Sequence, residues 1–228
     1  MSKKDNIYYS VKFIIIGNQY VGKTNLAYRF VKGEFSNEYL ITIGIDYLSQ
    51  NIQIEDKKFL LQIWDTAGSE RFSSVTKGYF SNSACAIIVY DITDEKSFTS
   101  VKKWIEECKS YTNEKTHLVL VGNKWDLRDQ RKISEEEGRA LALENNMSFF
   151  ESSALNGKNV EEIFFDSINI INNNINENKY DFNDPTIGIK ISEIEEKMEI
   201  HKIIKSSNNF ILNSEEHSKK EKKKKCGC

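Results

Sequence analysis

The stretch that most limits what this chain can fold into is GNQYVGKTN, residues 17–25. A glycine opens a loop, four residues pass, and Gly22-Lys23-Thr24 closes it. The preceding VKFIIIG (11–17) is an apolar run that predicts a buried strand, and the following TNLAYRFVKG predicts a helix. A glycine loop running from a strand into a helix aims several backbone N–H groups at one spot, where the helix dipole adds partial positive charge. Lys23 can then reach the β- and γ-phosphates of a nucleotide, and the Thr24 hydroxyl can ligate Mg²⁺. Gly22 stands where backbone must approach phosphate closely. The loop leaves the choice between ATP and GTP open.

The rest of the chain alternates strands and helices. Strands are expected at 46–54, 59–65, 84–91, 117–124 and 147–154, and helices at 97–111, 134–146 and 159–175. Ser134 followed by Glu137 reads as a capping box. Val160, Phe164, Ile168, Ile171 and Ile175 form one apolar stripe. Such alternation gives an α/β fold: a mostly parallel, six-stranded sheet with helices on both faces. The pair at 46–65 is joined too tightly for a parallel crossover, so one edge strand is antiparallel. Ligands of such sheets sit at the carboxyl ends of the strands, where every motif below falls.

WDTAG (64–68) ends a strand. Asp65 there is available to Mg²⁺ through water, and the Gly68 N–H can meet a γ-phosphate. NKWD (123–126) ends another buried strand. The Asp126 carboxylate can accept from the N1–H and exocyclic amine of guanine, a donor pair that adenine lacks. This disfavours an ATPase. The Lys124 stem can cover the base, and Asn123 can brace neighbouring loops. In ESSA (151–154), the Ala154 N–H can meet the guanine O6 and Ser153 can hold the NKWD loop.

Together GNQYVGKT, Thr42 in ITIGID, WDTAG, NKWD and ESSA resemble the small GTPases of the Ras superfamily, over about residues 8–175. TIGIDY (42–47), LQIWDTAGSERF (61–72), IVYDIT (88–93) and the terminal CGC resemble the Rab branch. The resemblance implies a P-loop G domain over residues 1–176 that binds GTP or GDP with Mg²⁺. It implies GTP contacts from Gly17, Gln19, Tyr20, Val21, Gly22, Lys23, Thr24, Asn25, Phe35, Tyr39, Thr42 and Gly68. Asn123, Lys124, Asp126, Ser153, Ala154 and Leu155 complete the set. Thr24, Thr42 and Asp65 are the implied metal residues, and Lys23, Thr42, Gly68 and Ser69 the catalytic ones. Phe35 would lie edge-on to guanine. Segments 34–46 and 67–80 would be the two switches, ordered by GTP and released after hydrolysis.

The chain departs from the family at Ser69, where a glutamine normally orients the attacking water. Serine is too short to do so, and slow intrinsic hydrolysis is expected. A Rab-type GTPase-activating protein can supply an arginine and a glutamine in trans. Gln19 and Tyr20 are large for the phosphate loop and can crowd the water, and Leu155 replaces a common lysine. A hydrolysis-deficient, mostly GTP-bound scaffold that recruits effectors is the alternative reading.

Beyond residue 176 the periodicity dissolves. Residues 177–225 read as a flexible linker, disordered toward a basic end, KKEKKKK (219–225). A short helix within 189–204 is the less favoured reading. Cys226 and Cys228 close the chain and resemble a double prenylation site, with the lysines drawn to an anionic leaflet. Cys85 and Cys108 read as buried inert thiols. The net charge of -2 over 228 residues is no footprint of nucleic-acid binding. The sequence has no secretory leader and no apolar run of membrane-spanning length, so the expected place is the cytosolic face of an endomembrane, cycling with cytosol. The implied partners are an exchange factor, an activating protein, effectors, a GDP-dissociation inhibitor and a prenylation escort protein.

Overall fold

The computed structural model describes residues 7–36, 42, 44–67 and 78–193. The chain divides into two units, one of residues 1–8 with 192–228, and one of Tyr9–Ile191 that carries the architecture below. The strands are β1 (Ile7–Ile16), β2 (Ile45–Ile54), β3 (Lys57–Thr66), β4 (Cys85–Asp91), β5 (His117–Asn123), β6 (Ser148–Glu151) and β7 (Ile189–Glu193). The helices are α1 (Lys23–Lys32), α2 (Glu95–Thr99), α3 (Val101–Tyr111), α4 (Glu135–Glu144) and α5 (Val160–Asn176). The sheet runs β2-β3-β1-β4-β5-β6. β1, β4, β5 and β6 pair in parallel, and β2 pairs antiparallel with β3 at the edge.

Strand periodicity splits the interior into two cores. Phe13, Ile15, Ile87, Val89, Val119 and Val121 pack with Leu26 of α1 and the whole α5 stripe. Their neighbours Ile14, Ile16, Ala86, Ile88, Leu118 and Leu120 face α3 and α4 on the other side. Burial on both faces is why these strands read as unbroken apolar runs. The capping box of α4 forms as its sequence predicts: Ser134 accepts from the Glu137 N–H, and the Glu137 carboxylate accepts from the Ser134 N–H.

Three expectations need correction. The single helix at 97–111 is two, α2 and α3, meeting at Ser100. Thr99 and Ser100 donate their hydroxyls to the carbonyls of Glu95 and Lys96, at 2.8 and 2.9 Å. Such back-bonding bends helices. The sheet, expected to have six strands, has a seventh: β7 pairs with β1. Residues expected to begin a linker at 177 instead fold onto the body. Tyr180, Ile187 and Ile189 join the first core, and the Lys12 N–H donates to the Gly188 carbonyl at 2.9 Å. Asp184 caps a 3₁₀ turn at Pro185–Ile187. Asn113 donates to Asp184 Oδ2 at 3.1 Å and to Thr186 Oγ1 at 2.7 Å. Three apolar anchors spread over ten residues give no period, so polar composition masks them. The remaining expected linker, 194–225, and the terminal cysteines lie outside the described residues.

Gly188 makes this docking possible. Its φ is +72°, and a Cβ there would meet the Ala84 nitrogen at 2.2 Å. Gly188→Ala is expected to cost about 2–4 kcal/mol, from backbone strain and steric overlap together. Urea unfolding checks this, and an unchanged midpoint would show that β7 is not held as described.

Candidate functional site

The phosphate loop turns from β1 into α1. Gly22 caps the helix with φ 93° and ψ 25°. A Cβ at Gly22 would sit 2.5 Å from Asn123 Nδ2, so the glycine also makes room for a side chain from another strand end. Lys23 folds back over the loop, and its ammonium donates to the carbonyls of Gly17 and Asn18 at 3.0 and 2.8 Å. Burial lowers its pKa to about 8, against the pull of Asp65. Asn18 is itself fixed: it donates to Ser100 Oγ at 3.0 Å and accepts from Trp104 Nε1 at 2.8 Å. The second core thus reaches the loop through α3.

Beside the loop lies a corner of hard oxygens. The Thr24 hydroxyl donates to Asp65 Oδ2 at 2.5 Å and lies 2.8 Å from the Thr42 hydroxyl. Thr42 lies 3.4 Å from the same carboxylate oxygen. Asp65 is fully buried, and burial pushes its carboxyl up to about 6 against the Thr24 bond and the nearby Lys23 charge. Its other oxygen, Oδ1, is buried with no protein partner. A carboxylate with one oxygen met by two hydroxyls and the other without a partner fits Mg²⁺, which takes oxygen ligands, keeps several waters and needs few carboxylates. Among the described residues no group of three His, Cys, Asp or Glu side chains could hold a metal by itself.

The third part of the site is built on β5 and β6. Asn123, 1% exposed, donates to the Val21 carbonyl at 2.8 Å. Its Oδ1 accepts from Ser152 Oγ at 3.2 Å and from the Ala154 N–H at 3.3 Å. Ser153 donates to Asp126 Oδ1 at 2.5 Å. Lys124 pairs with Asp91 at 2.7 Å, which fixes its stem. Trp125 is covered by Lys158 and Arg128, 3.3 and 4.4 Å from its ring centre.

One cavity of about 800 Å³ joins these parts. Of the residues expected from sequence, it is lined by Gln19, Tyr20, Gly22, Lys23, Thr24, Asn25, Phe35, Thr42, Asn123, Lys124, Asp126, Ala154 and Leu155. Its size suits a nucleotide, and its mixed lining suits a ligand with both a flat apolar part and anionic groups. Gly17, Val21, Asp65 and Ser153 stand behind the wall. Gly17 and Val21 act through their carbonyls, Ser153 supports Asp126, and Asp65 is reached through Thr24. Tyr39, Gly68 and Ser69 lie outside the described residues.

Sequence reasoning missed three contributors. Tyr28 and Asp46 line the cavity, joined by a hydrogen bond of 2.9 Å. Arg29 donates to the carbonyls of Ala154, Leu155 and Gly33 at 2.9, 2.5 and 2.7 Å, tying the base loop to the end of α1. Tyr28 and Arg29 lie on α1 beyond the phosphate-loop motif, and Asp46 lies within TIGIDY with no role assigned to it. The only signal was a polar group at three positions where an amphipathic helix or an edge strand also tolerates one.

Comparison with known proteins identifies a family. The Ras family model matches residues 12–173. The chain is 44% identical over 164 residues to the GTP-binding protein ypt3 of Schizosaccharomyces pombe, covering 72% of this chain and 77% of that protein. It is 43% identical over 169 residues to the Ras-related protein SEC4 of Saccharomyces cerevisiae, covering 74% and 78%. It is 40% identical over 187 residues to human Ras-related protein Rab-8B, covering 81% and 90%.

Proposed function

The chain belongs to the Ras family as a Rab-type small GTPase, and on that premise we propose that it is a membrane-anchored switch in vesicle trafficking whose unassisted GTP hydrolysis is slow. The observation that carries the nucleotide assignment is the single cavity that unites Lys23 and Thr24 with Asp126. Lys23 lies against the β- and γ-phosphates, and the amides of the 17–24 loop cradle them. Thr24, Thr42 and Asp65 hold Mg²⁺, which supplies charge neutralisation on the phosphate oxygens. Asp126 reads the guanine edge, Ala154 offers its N–H to O6, and Phe35 and the Lys124 stem flank the base. Thr42 and Gly68 meet the γ-phosphate, and water attacks it to give GDP and phosphate.

Ser69 stands where the family carries the water-orienting glutamine, so the water is held poorly in cis. Tyr20 supports the same view. It is 60% exposed at the cavity mouth, where bulk crowds an incoming water or arginine. A Rab-type activating protein supplies the missing groups in trans. Tyr20 and Gln19 also favour the second reading, a hydrolysis-deficient scaffold that stays GTP-bound and recruits effectors. An exchange factor and a GDP-dissociation inhibitor complete the cycle, and an escort protein presents Cys226 and Cys228 for prenylation. Among the described residues no helix is long and apolar enough to cross a membrane. Attachment through two lipid chains and the lysines of 219–225 is the proposed alternative.

Three experiments test these assignments. Asp126→Asn should weaken GTP binding by about 2–4 kcal/mol and shift preference toward xanthine nucleotides, since the bidentate carboxylate is lost. Unchanged GTP affinity in a competition assay sinks the base pocket. Changing Cys226 and Cys228 to serine should move the protein to the soluble fraction, and a variant that still pellets with membranes refutes the lipid anchor. Ser69→Gln should raise single-turnover intrinsic hydrolysis about tenfold, roughly 1.4 kcal/mol of barrier, and barely alter the rate with a saturating activating protein. If only the triple variant with Gln19→Gly and Tyr20→Gly gains rate, the loop and not Ser69 is limiting. A wild-type rate equal to that of glutamine-bearing relatives defeats both explanations.

A further inference from the structure

Tyr28 is the one aromatic side chain of the cavity wall, apart from Phe35 and Tyr20, to which the nucleotide assignment gives no task. It lies on α1, four residues after Thr24, and in a helix that spacing puts both side chains on one face. That face meets the chain entering β2 at two points, also four residues apart. The Thr24 hydroxyl is 2.8 Å from the Thr42 hydroxyl. The Tyr28 hydroxyl donates to Asp46 Oδ2 at 2.9 Å.

Asp46 is held from both sides. Its other oxygen, Oδ1, accepts the Tyr47 N–H at 2.9 Å. It stands opposite Asp65 in the β2–β3 register, and two residues further out the Ala67 N–H donates to the Gly44 carbonyl at 3.1 Å. The ring of Tyr28 is fixed as well, with Lys32 Nζ 4.1 Å from its centre. The bond to Asp46, then burial, push the pKa of the phenol up.

We propose that Tyr28 is a positioning residue for the GTP-bound state: by fixing Asp46 it sets the entry into β2, and with it the approach of Thr42 to Thr24 and Asp65. A hydrogen bond to a charged carboxylate is worth more than one between neutral groups. It is therefore suited to hold a strand end that has only one neighbour in the sheet. The inference rests on the reading above that Thr42 serves the γ-phosphate side of the site. Its consequence is selective. A nucleotide that uses Thr42 gains from the restraint, and one without a γ-phosphate does not.

The test compares affinities for GDP and for the imido analogue of GTP in the full chain, with Mg²⁺ present. Tyr28→Phe keeps the ring and its contact with Lys32 and removes only the hydroxyl. It is expected to lower affinity for the GTP analogue about fivefold more than for GDP, the size of a typical single hydrogen bond's net contribution. Amide exchange in the peptide Thr42–Tyr47 should rise in the analogue-bound protein. Asp46→Asn should act in the same direction, and the double variant should be no worse than the stronger single one, as expected for partners in one bond. Thr42→Ala is the reference. If it lowers affinity for both nucleotides equally, the assignment of Thr42 fails and this inference falls with it. If Thr42→Ala discriminates while Tyr28→Phe affects both nucleotides equally or neither, Tyr28 only packs, and the inference alone is overturned.

Discussion

One buried amide ties together two of the loops that line the cavity. Asn123 ends β5, and its side chain bridges two loops that approach from different strands. It donates to the Val21 carbonyl in the phosphate loop and accepts from Ser152 and Ala154 in the base loop. A buried polar group of this kind must be satisfied, and leaving its partners unpaired costs the full desolvation of each. The amide therefore fixes the distance between the loop before α1 and the loop after β6. Gly22 is part of the same device, because only a residue without a side chain leaves space for the Asn123 amide.

Around that bridge the protein holds charge that its interior disfavours. Lys23 and Asp65 are both buried, and burial works against the ionised form of each. Their mutual attraction and the bonds from Thr24, Gly17 and Asn18 offset part of the cost.

The supports extend well beyond the loops. Trp104 on α3 reaches the phosphate loop through Asn18. Arg29 on α1 spans to the base loop. The Arg131–Glu151 ion pair anchors the end of β6, from which the base loop departs. Each support comes from a packed helix or strand, so the geometry of the cavity is set by the two cores beneath it. The docking of β7 belongs to the same logic at the β1 strand, where Ile187 and Ile189 close the first core.

Much of this was legible in the chain alone. The buried strands β1, β4 and β5 announce themselves because burial on both faces demands unbroken apolar runs. The phosphate loop, NKWD and ESSA are readable because close backbone approach and bidentate recognition tolerate few residue types at fixed spacing. The capping box at Ser134 and the stripe of α5 are local, and local interactions leave local patterns. What the sequence could not give were the contacts that join distant segments: Tyr28 to Asp46, Arg29 to three carbonyls, Asn123 to the space left by Gly22, and β7 to β1. A tyrosine on a helix face or three apolar residues in a polar stretch carry no period and no motif. Their partners are chosen only when the sheet brings them together, and it is the closing of the tertiary structure, with its demand that buried polar groups be paired, that decided them.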